Sequence, residues 1–413
     1  MPVAYAGRVW GLAQTPFTAQ NVTTHSVFIG VLRQGKRASQ GVQPLFMSQL
    51  TTQVGTEGNS RELGVMRAGV YRGEGRVVVE SVPIPKIQDG EVLFRVAACG
   101  ICGTDLKKIH HGFLPPPQIL GHELAGTVVE VGRGVTKFEP GDRVVSFHHI
   151  PCGNCFYCQR KLFSQCAGYK KVGLTAGFNP QGGGFAQYVR AMPWIVERGM
   201  IALPPDVTFE EATFVEPVNT VLKAVRKARV AAGETILVIG QGPIGVLLAI
   251  LAKHEGADVY SSDPMDGRRA ASERFGATTA FDPACTDLLA EMRGRTDGRG
   301  ADAVLVAVPN ASLVPEALAL ARPGGRVLLF AHNDPVLQLH FPAAAVGIEE
   351  KEILGSYSAS VDDQAESAAL VFSRRLPLRE MISHRFPLER IADALELAAQ
   401  PASDTLKVLI THQ

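Results

Sequence analysis

Four cysteines lie within fifteen residues of one another, in the pattern C-x2-C-x2-C-x7-C. A loop of this composition cannot hold itself together without a metal ion. Four thiolates placed so close in sequence can surround one tetrahedral ion and leave no open position, which is typical of structural zinc sites. The chain has seven cysteines, an odd number, which favours metal binding in a reducing compartment over a disulfide framework. We therefore predict a structural zinc site at Cys152, Cys155, Cys158 and Cys166.

Length and composition indicate an ordinary globular enzyme of two or three domains. The chain has 413 residues, of which 46% are hydrophobic and 20% are charged. Its net charge of +1 provides no electrostatic attraction to nucleic acid or to an anionic membrane. The most apolar run, 236–252, is interrupted by glycine, glutamine and proline, and it is shorter than the ~20 apolar residues of a membrane-spanning helix. We expect a cytoplasmic protein without a nucleic-acid or membrane partner.

The first 56 residues differ from the rest, because they contain no Asp or Glu, four Lys or Arg and ten Ser or Thr residues. An acid-poor, Ser/Thr-rich terminus is typical of an organelle transit peptide. The alternative is an upstream extension from a misplaced start codon, with Met66 as the working start. We favour the extension, because arginine is sparse and no amphipathic helix is evident. In either case we expect residues 1–65 to be poorly ordered.

The hydrophobic pattern changes character near residue 219. From residue 66, short β-rich runs such as 76–82, 91–98 and 142–146 alternate with glycine and proline, which predicts a barrel-like β lobe. From residue 219, buried strands alternate with helices, which predicts a doubly wound parallel sheet. The final segment, 359–413, adds helices and a closing strand. The predicted elements of the later part are strands at 235–239, 258–262, 303–308, 325–331, 352–357 and 405–410, and helices at 243–255, 362–374 and 388–398.

A glycine motif, G-x-G-x-x-G, follows the predicted strand 235–239 and opens an apolar helix. This context predicts a dinucleotide-binding turn. Gly240 permits the tight turn, Gly242 lets the backbone approach a pyrophosphate, and Gly245 lets the helix pack closely on the strand. The motif consists of Gly240, Gln241, Gly242, Pro243, Ile244 and Gly245.

An acidic residue, Asp263, lies 18 residues beyond Gly245, at the end of the next predicted strand. A carboxylate there would accept hydrogen bonds from the ribose hydroxyls and repel a 2′-phosphate, which favours NAD over NADP. Arg268 and Arg269 follow closely. They could serve a 2′-phosphate, flank the adenine or face water.

A second set of candidate metal ligands lies outside the cysteine cluster. Cys-Gly-Thr-Asp at 102–105 precedes Gly-His-Glu at 121–123, and Glu216 follows much later. A catalytic zinc needs about three protein ligands and one open position. With the four-cysteine loop and the glycine motif in this order, the chain from about Met66 to its C-terminus resembles the zinc-containing medium-chain dehydrogenases of the alcohol dehydrogenase superfamily. The branch that it resembles contains the sorbitol, threonine and other polyol dehydrogenases.

This resemblance implies an α/β fold: a GroES-like β-barrel catalytic domain at 66–218, a Rossmann domain at 219–358 and a segment, 359–413, that returns to the catalytic domain. It implies that Cys102 and His122 are ligands of the catalytic zinc. Glu123 matches an acid that is a direct or exchangeable ligand in this branch. Glu216 matches an acid that binds the metal directly or through its water.

The resemblance also implies roles for two neighbours of Cys102. Asp105 matches a carboxylate that orients the zinc-bound imidazole. Thr104 matches a hydroxyl that receives the alcohol proton and passes it outward. Where some relatives have a relay histidine, this chain has Lys107, so the proton exit could use Lys107, His110, His111 or water.

Other cysteines, histidines and lysines have simpler interpretations. We expect Cys99 to pack as a small buried residue. His148 and His149 could line the substrate cleft or serve packing. We expect Lys170 and Lys171 to be a solvent-exposed pair.

The expected function is the transfer of hydride from a secondary alcohol to NAD, with one catalytic and one structural zinc. The substrate would be a polyol, a sugar or a 3-hydroxy amino acid such as threonine, and the enzyme a homodimer or homotetramer. The nearest alternative is a primary-alcohol or aldehyde dehydrogenase of the same family. A non-catalytic NAD-binding zinc protein ranks lower, and a four-cysteine module for nucleic acid ranks last.

Overall fold

The computed structural model describes residues 64–112, 114–330 and 338–412. The predicted poorly ordered segment 1–65 lies outside this part, apart from residues 64 and 65. Seventeen strands and eleven α-helices are formed in the described ranges. None of these helices combines the length and the apolar composition that crossing a bilayer requires.

Nine strands of the first lobe precede the parallel sheet, and two more follow it near the C-terminus. The first nine are β1 (Val65–Tyr71), β2 (Val77–Pro83), β3 (Val92–Gly100), β4 (Gln118–Ile119), β5 (Glu123–Val131), β6 (Arg143–Ser146), β7 (Leu174–Thr175), β8 (Tyr188–Ala191) and β9 (Met200–Ala202). The parallel sheet contains β10 (Thr235–Ile239), β11 (Asp258–Ser262), β12 (Thr279–Phe281), β13 (Ala301–Val306), β14 (Ala321–Leu329) and β15 (Glu352–Gly355). The last two strands are β16 (Ile382–Pro387) and β17 (Lys407–Thr411).

The helices lie mainly between the strands of the parallel sheet and around it. They are α1 (Gly103–His110), α2 (Pro193–Arg198), α3 (Phe209–Ala212), α4 (Val215–Lys227), α5 (Pro243–His254), α6 (Asp266–Arg274), α7 (Leu288–Gly294), α8 (Leu313–Leu320), α9 (Ala343–Gly347), α10 (Gln364–Phe372) and α11 (Ile391–Ala399).

The first lobe consists of a three-stranded sheet, β2-β1-β4, and an eight-stranded sheet whose main path is β16-β17-β3-β5-β6-β9. β3 and β5 are antiparallel neighbours, and Gly100 at the end of β3 pairs with Glu123 at the start of β5. The residues just beyond these two strand ends therefore meet at one edge of the sheet. The C-terminal strand β17 pairs with β3 on its other side, so the end of the chain reaches the same edge.

The second lobe is built on six parallel strands in the order β12-β11-β10-β13-β14-β15. Four of the five residues of β10 are buried, as expected for a strand covered by helices on both faces. The strand order reverses between β10 and β13. In open α/β sheets, ligands bind beyond the carboxyl ends of the strands at such a switch point.

Helix α4 connects the two lobes, and the expected boundary between 218 and 219 lies inside it. Ten of its residues are buried, and Val218 and Val221 share one apolar core with Phe147 of the first lobe and Val246 of the second. Asn219 is fully buried. Its amide nitrogen donates to the Ser360 carbonyl and to Ser367 Oγ, both at 3.1 Å, and its amide oxygen accepts from the Ser360 N–H at 2.7 Å.

These contacts predict that Asn219→Ala destabilises the fold. The substitution removes three hydrogen bonds and leaves the backbone groups of the buried Ser360 without these partners. Each unsatisfied buried group costs about 1–3 kcal/mol, so we expect the free energy of unfolding to fall by about 2–4 kcal/mol in chemical denaturation. The exposed Gln400→Ala serves as control and should change it by less than about 0.5 kcal/mol. Equal stability of the two variants would contradict the prediction.

Candidate active site

Cys102 lies at the N-terminus of α1, directly after β3. Its thiol accepts a hydrogen bond from the Thr104 N–H at 3.5 Å, and its own N–H donates to Asp105 Oδ2 at 3.1 Å. These bonds form a capping box, in which side chains at the two ends of the first turn satisfy the free backbone donors. The local sequence thus sets where α1 begins and orients the thiol.

Asp105 also holds His122 in place. Its Oδ1 accepts from His122 Nδ1 at 3.2 Å and from the Gly121 N–H at 3.3 Å. Burial acts to raise the pKa of Asp105, but the charge and hydrogen bond of His122 outweigh it, and the pKa is lowered. Gly121 has φ 91°, and a Cβ there would lie 2.7 Å from the Phe185 ring. This turn directs the His122 imidazole toward the Cys102 side of the sheet edge.

Two overlapping sets of ligand atoms surround His122. In each set the candidate donor atoms lie within 4.8 Å of one another. One set contains Cys102, His122 and Glu123, and the other contains His122, His148 and Glu216. Thiolate, imidazole and carboxylate are the donors of catalytic zinc sites, so the residues present fit a zinc ion.

The electrostatic surroundings of His122 also favour a cation. Burial acts to lower its pKa, but the charges of Asp105 and Cys102, with their hydrogen bonds, raise it well above its usual value. The site therefore stabilises positive charge at the imidazole, and a divalent metal ion would satisfy the same groups.

Glu123 has a partner that no local pattern in the sequence indicates. Its carboxylate accepts a hydrogen bond from the ammonium group of Lys407 on β17, and both side chains are buried. Lys407 Nζ also donates to the Ile101 carbonyl at 3.2 Å. Burial acts to lower the pKa of Lys407, but the charges of Glu123 and Cys102 raise it above its usual value. The carboxylate is thus held between the ligand set and a buried cation.

Glu216 lies in the first turn of α4 and is buried. Burial raises its pKa to about 7, with the charge of Glu123 adding to the effect and that of His122 opposing it. Its carboxylate is close to His122 and His148, so the structure brings it to the candidate metal centre from the interlobe helix.

Three aromatic rings extend outward from His122. The ring centroids of His122 and His148 are 4.5 Å apart, those of His148 and His149 are 4.0 Å apart, and His149 stacks on Tyr169 at 5.1 Å. The Tyr169 hydroxyl contacts Ser358 Oγ at 2.9 Å and donates to the Ala359 carbonyl at 3.1 Å. The row therefore connects the candidate metal centre with the segment that follows β15.

The four clustered cysteines converge on one point. Their Sγ atoms lie within 4.8 Å of one another, with distances of 3.9 Å for Cys152–Cys158, 3.5 Å for Cys155–Cys158 and 3.6 Å for Cys152–Cys166. A tetrahedral zinc with Zn–S bonds of about 2.3 Å places its sulfurs about 3.8 Å apart. The donor set and its spacing fit such an ion. Cys158 and Cys166 pack with Phe163 and Tyr169 in a small apolar cluster.

The glycine turn lies between β10 and α5. Gly240 has φ 89°, a conformation that favours glycine, and a Cβ there would lie 2.3 Å from a Val308 methyl group. A Cβ at Gly245 would lie 1.7 Å from the Gly240 carbonyl oxygen, so helix and turn touch. A Cβ at Gly242 would meet no atom within 4 Å, so this residue faces open space at the N-terminus of α5. Pro243 and Ile244 form the first residues of that helix.

Asp263 directly follows β11 and is buried. Its Oδ2 accepts from the Gln241 N–H at 2.7 Å, and its Oδ1 accepts from the Met265 N–H at 2.9 Å. The carboxylate therefore lies against the glycine turn. Arg268 Nη1 is 3.9 Å from Asp263 Oδ2, and Arg269 donates to the Asp263 carbonyl at 2.9 Å.

The remaining predicted residues have varied positions. Thr104 is half-buried in the first turn of α1, close to Cys102, whereas His110 and His111 are exposed at the far end of that helix. Cys99 is fully buried in the apolar core of the first lobe, as predicted, and Cys285 is exposed.

Sequence reasoning missed two features of this site. Lys407 is 284 residues from Glu123 along the chain, and the only hint was a lysine inside an apolar strand. His148 was expected to line a cleft or to pack, not to join a ligand set. Its place depends on the turn after β6, which no motif marks.

Comparison with known proteins agrees with this geometry. Residues 88–200 match the family model described as "Alcohol dehydrogenase GroES-like domain", and residues 243–373 match "Zinc-binding dehydrogenase". The chain belongs to the zinc-dependent medium-chain dehydrogenases of the alcohol dehydrogenase superfamily. Both predictions made from the sequence, the family and the pairing of a GroES-like domain with a Rossmann domain, are confirmed.

Individual relatives support the same assignment. Sorbitol dehydrogenase from Bombyx mori is 30% identical over 84% of this chain and 98% of its own length. L-threonine 3-dehydrogenase from Pyrococcus horikoshii is 36% identical over 62% of this chain and 72% of its own length. A crystal structure from Sinorhizobium meliloti 1021, described as a zinc-binding dehydrogenase bound to NADP, shares 30% identity with a TM-score of 0.76, covering 84% of this chain and 99% of the other.

The buried pair predicts that Lys407→Met destabilises this zinc-dependent dehydrogenase, because the Glu123 carboxylate would remain buried without its ammonium partner. Removing one member of a buried ion pair costs about 3–5 kcal/mol, which should be visible in the free energy of unfolding.

The double variant Lys407→Met with Glu123→Gln tests the cause. It replaces the ion pair by neutral groups and should recover most of the lost stability. A double variant less stable than Lys407→Met would contradict the pairing.

Proposed function

We propose that this dehydrogenase transfers hydride from a secondary alcohol, such as a polyol or a 3-hydroxy amino acid, to NAD. The observation that carries the proposal is the convergence of Cys102, His122 and an acid on one point, with Asp105 behind the imidazole. Relatives named for sorbitol and for L-threonine support this choice of substrate.

Cys102 and His122 would hold the catalytic zinc, with a glutamate completing the set. A zinc ion there supplies Lewis-acid polarisation of the substrate oxygen. Glu123 belongs to the ligand set that contains Cys102, whereas Glu216 belongs to the set with His122 and His148. Because Glu123 is already paired with Lys407, we propose Glu216, which reaches His122 from the second set, as the third protein group at the metal. Glu123 would then adjust the electrostatic potential at the metal, or replace Glu216 as the ligand.

Thr104 is the proposed acceptor of the substrate hydroxyl proton. It follows Cys102 by two residues, in the first turn of α1, and its side chain is only half-buried. A bound nicotinamide would supply the hydride acceptor, and oxidation of a secondary alcohol would leave a ketone. The side chains of the site would orient the alcohol and transfer its proton outward, away from the reacting carbon.

The glycine turn and Asp263 would bind the cofactor, with Gly242 facing the pyrophosphate. We propose NAD over NADP because the Asp263 carboxylate is buried against this turn, where a 2′-phosphate would meet its negative charge. The four cysteines would hold a second, structural zinc. Thiolate ligands need a reducing compartment, which supports a cytoplasmic enzyme.

We further propose a homo-oligomer. β15 is the edge strand of the parallel sheet, and within the described residues its outer side has no strand partner. Such an edge offers unpaired backbone groups to the same edge of a second copy.

The central test is turnover of the purified protein with NAD and sorbitol, threonine or primary alcohols, with and without 1,10-phenanthroline. We expect oxidation of a secondary alcohol that the chelator abolishes. Cys102→Ala should reduce the zinc content from two ions per chain to one, measured by mass spectrometry of metals. Loss of Lewis-acid stabilisation worth several kcal/mol should lower kcat/KM by about 10³-fold or more.

Cys285→Ala is the matched control. This cysteine is exposed and belongs to none of the candidate ligand sets, including the four-cysteine cluster. The variant should therefore keep both zinc ions and full activity. A Cys102→Ala enzyme with unchanged zinc content and rate would exclude the proposed ligand, and preference for primary alcohols would favour the alternative activity.

Cofactor choice gives a separate prediction. Asp263→Asn keeps the size of the side chain but removes the charge that would repel a 2′-phosphate. The ratio of kcat/KM with NADP to that with NAD should rise by about 10-fold to 100-fold, as expected for removal of one like charge. Asp266→Asn, an exposed acid in the next helix, should leave the ratio unchanged. A wild-type enzyme that prefers NADP would refute the role of Asp263.

A further inference from the structure

A cavity of ≈ 740 Å³ lies beside the row of rings that leads to the candidate metal centre. Its wall includes His149 and Tyr169, the outer two rings of that row, and Trp194. Since His149 is one ring away from His148 and two from His122, the cavity is the outward continuation of the site where an alcohol would react. Cavities of about 300–1,000 Å³ accommodate small-molecule ligands.

All charged groups that line this cavity are basic. Lys108, Lys170 and Lys171 contribute ammonium groups, and the described lining contains no aspartate or glutamate. Among the residues that the structure describes, no carboxylate forms an ion pair with any of the three. By contrast, Lys161 on the same lobe pairs with Asp362 at 3.0 Å. The described lining of the cavity therefore carries three positively charged side chains and no ion-paired carboxylate.

The three lysines are positioned by the elements that carry Cys102 and the four-cysteine cluster. Lys108 lies in the last turn of α1, which begins beside Cys102, and its ammonium donates to Gln181 Oε1 at 3.0 Å. Lys170 and Lys171 follow Cys166 in sequence. The Lys170 N–H donates to the Cys166 carbonyl at 3.3 Å, which ties this pair to the cysteine cluster.

Lys108 lines the same cavity as His149 and Tyr169, the two outer rings of the row. It also lies on α1, the helix that begins beside Cys102. The basic groups therefore lie along the path that leads outward from the candidate metal centre. We expect the distal atoms of a substrate bound at that centre to extend toward them.

We propose that this cavity binds an anionic group of the substrate, so that the enzyme acts on a polyol derivative carrying a phosphate or a carboxylate. This inference rests on the proposed function, because it assigns the far end of the same alcohol. Lysine ammonium groups bind phosphate and carboxylate as point charges on flexible stems. An anion would also offset the three positive charges that line the cavity. The pair Lys170 and Lys171, expected to be merely solvated, thereby gains a function.

The test compares three substrates of similar chain length: D-sorbitol, D-sorbitol 6-phosphate and D-gluconate. We expect kcat/KM for at least one anion to exceed that for sorbitol by about 10-fold or more, as expected for two or three partly screened charge contacts. Which anion is preferred distinguishes phosphate from carboxylate recognition. The preference should fall as ionic strength rises, because salt screens exposed charges.

The double variant Lys170→Gln with Lys171→Gln should lower the ratio of anionic to neutral kcat/KM by about 10-fold. The control Lys161→Gln with Lys227→Gln removes the same net charge from exposed positions outside the cavity lining and should keep the ratio. Equal or better turnover of sorbitol by the wild type, or an unchanged ratio in the cavity variant, would overturn the inference.

Calorimetric titration separates this result from failure of the proposed function. If none of the three compounds is oxidised, the proposed function fails. Tighter binding of D-sorbitol 6-phosphate or D-gluconate than of sorbitol to the wild type, lost in the cavity variant, would still support the anion site. Equal binding of all three would refute it.

Discussion

The carboxylate of Asp105 is the constraint on which the candidate metal centre depends. It is fully buried and accepts hydrogen bonds from the Cys102 N–H, the Gly121 N–H and His122 Nδ1. A buried carboxylate is costly unless it is hydrogen-bonded in this way. The three bonds join the start of α1 to the turn before β5, so the group that stabilises the local backbone also orients Cys102 and His122, the two proposed metal ligands. The two carboxylate oxygens of Asp105 therefore fix both the local backbone and the orientation of the candidate ligands.

A second set of contacts links the cysteine cluster to the interlobe helix. The cluster packs against Tyr169, whose hydroxyl bonds to the segment after β15. That segment is in turn held by Asn219 and Lys223 of α4, the helix that carries Glu216. A structural zinc in the cluster would therefore order more than its own loop. It would stabilise one wall of the basic cavity and support the helix that presents Glu216.

Much of the fold followed from local patterns. The strands β10 and β11 match their predicted bounds, 235–239 and 258–262. For β10 the reason is a continuous apolar run between turn residues, which is typical of a buried parallel strand, whereas β11 followed from the alternation of strands and helices in this part of the chain. The last sheet strand was predicted at 352–357 but ends at Gly355, and helices predicted at 362–374 and 388–398 begin with short 3₁₀ turns before α10 and α11. β16 was not predicted. Its sequence mixes serine, histidine and arginine, and its pairing with β17 compensates for the weak pattern.

The sequence by itself predicted the four-cysteine cluster and the glycine turn, because the spacing of these residues along the chain sets their spacing in space. Its resemblance to known dehydrogenases predicted the family and the pair Cys102 and His122. Only the tertiary structure decided which distant groups complete these sites. Lys407 reaches Glu123 because β17 pairs with β3, and Glu216 reaches His122 because α4 packs across both lobes. The lysines of the cavity come from two separate places in the chain, α1 and the segment after Cys166, and they line one cavity only after folding. Long-range contacts of this kind depend on sheet pairing and core packing, which local sequence patterns do not encode.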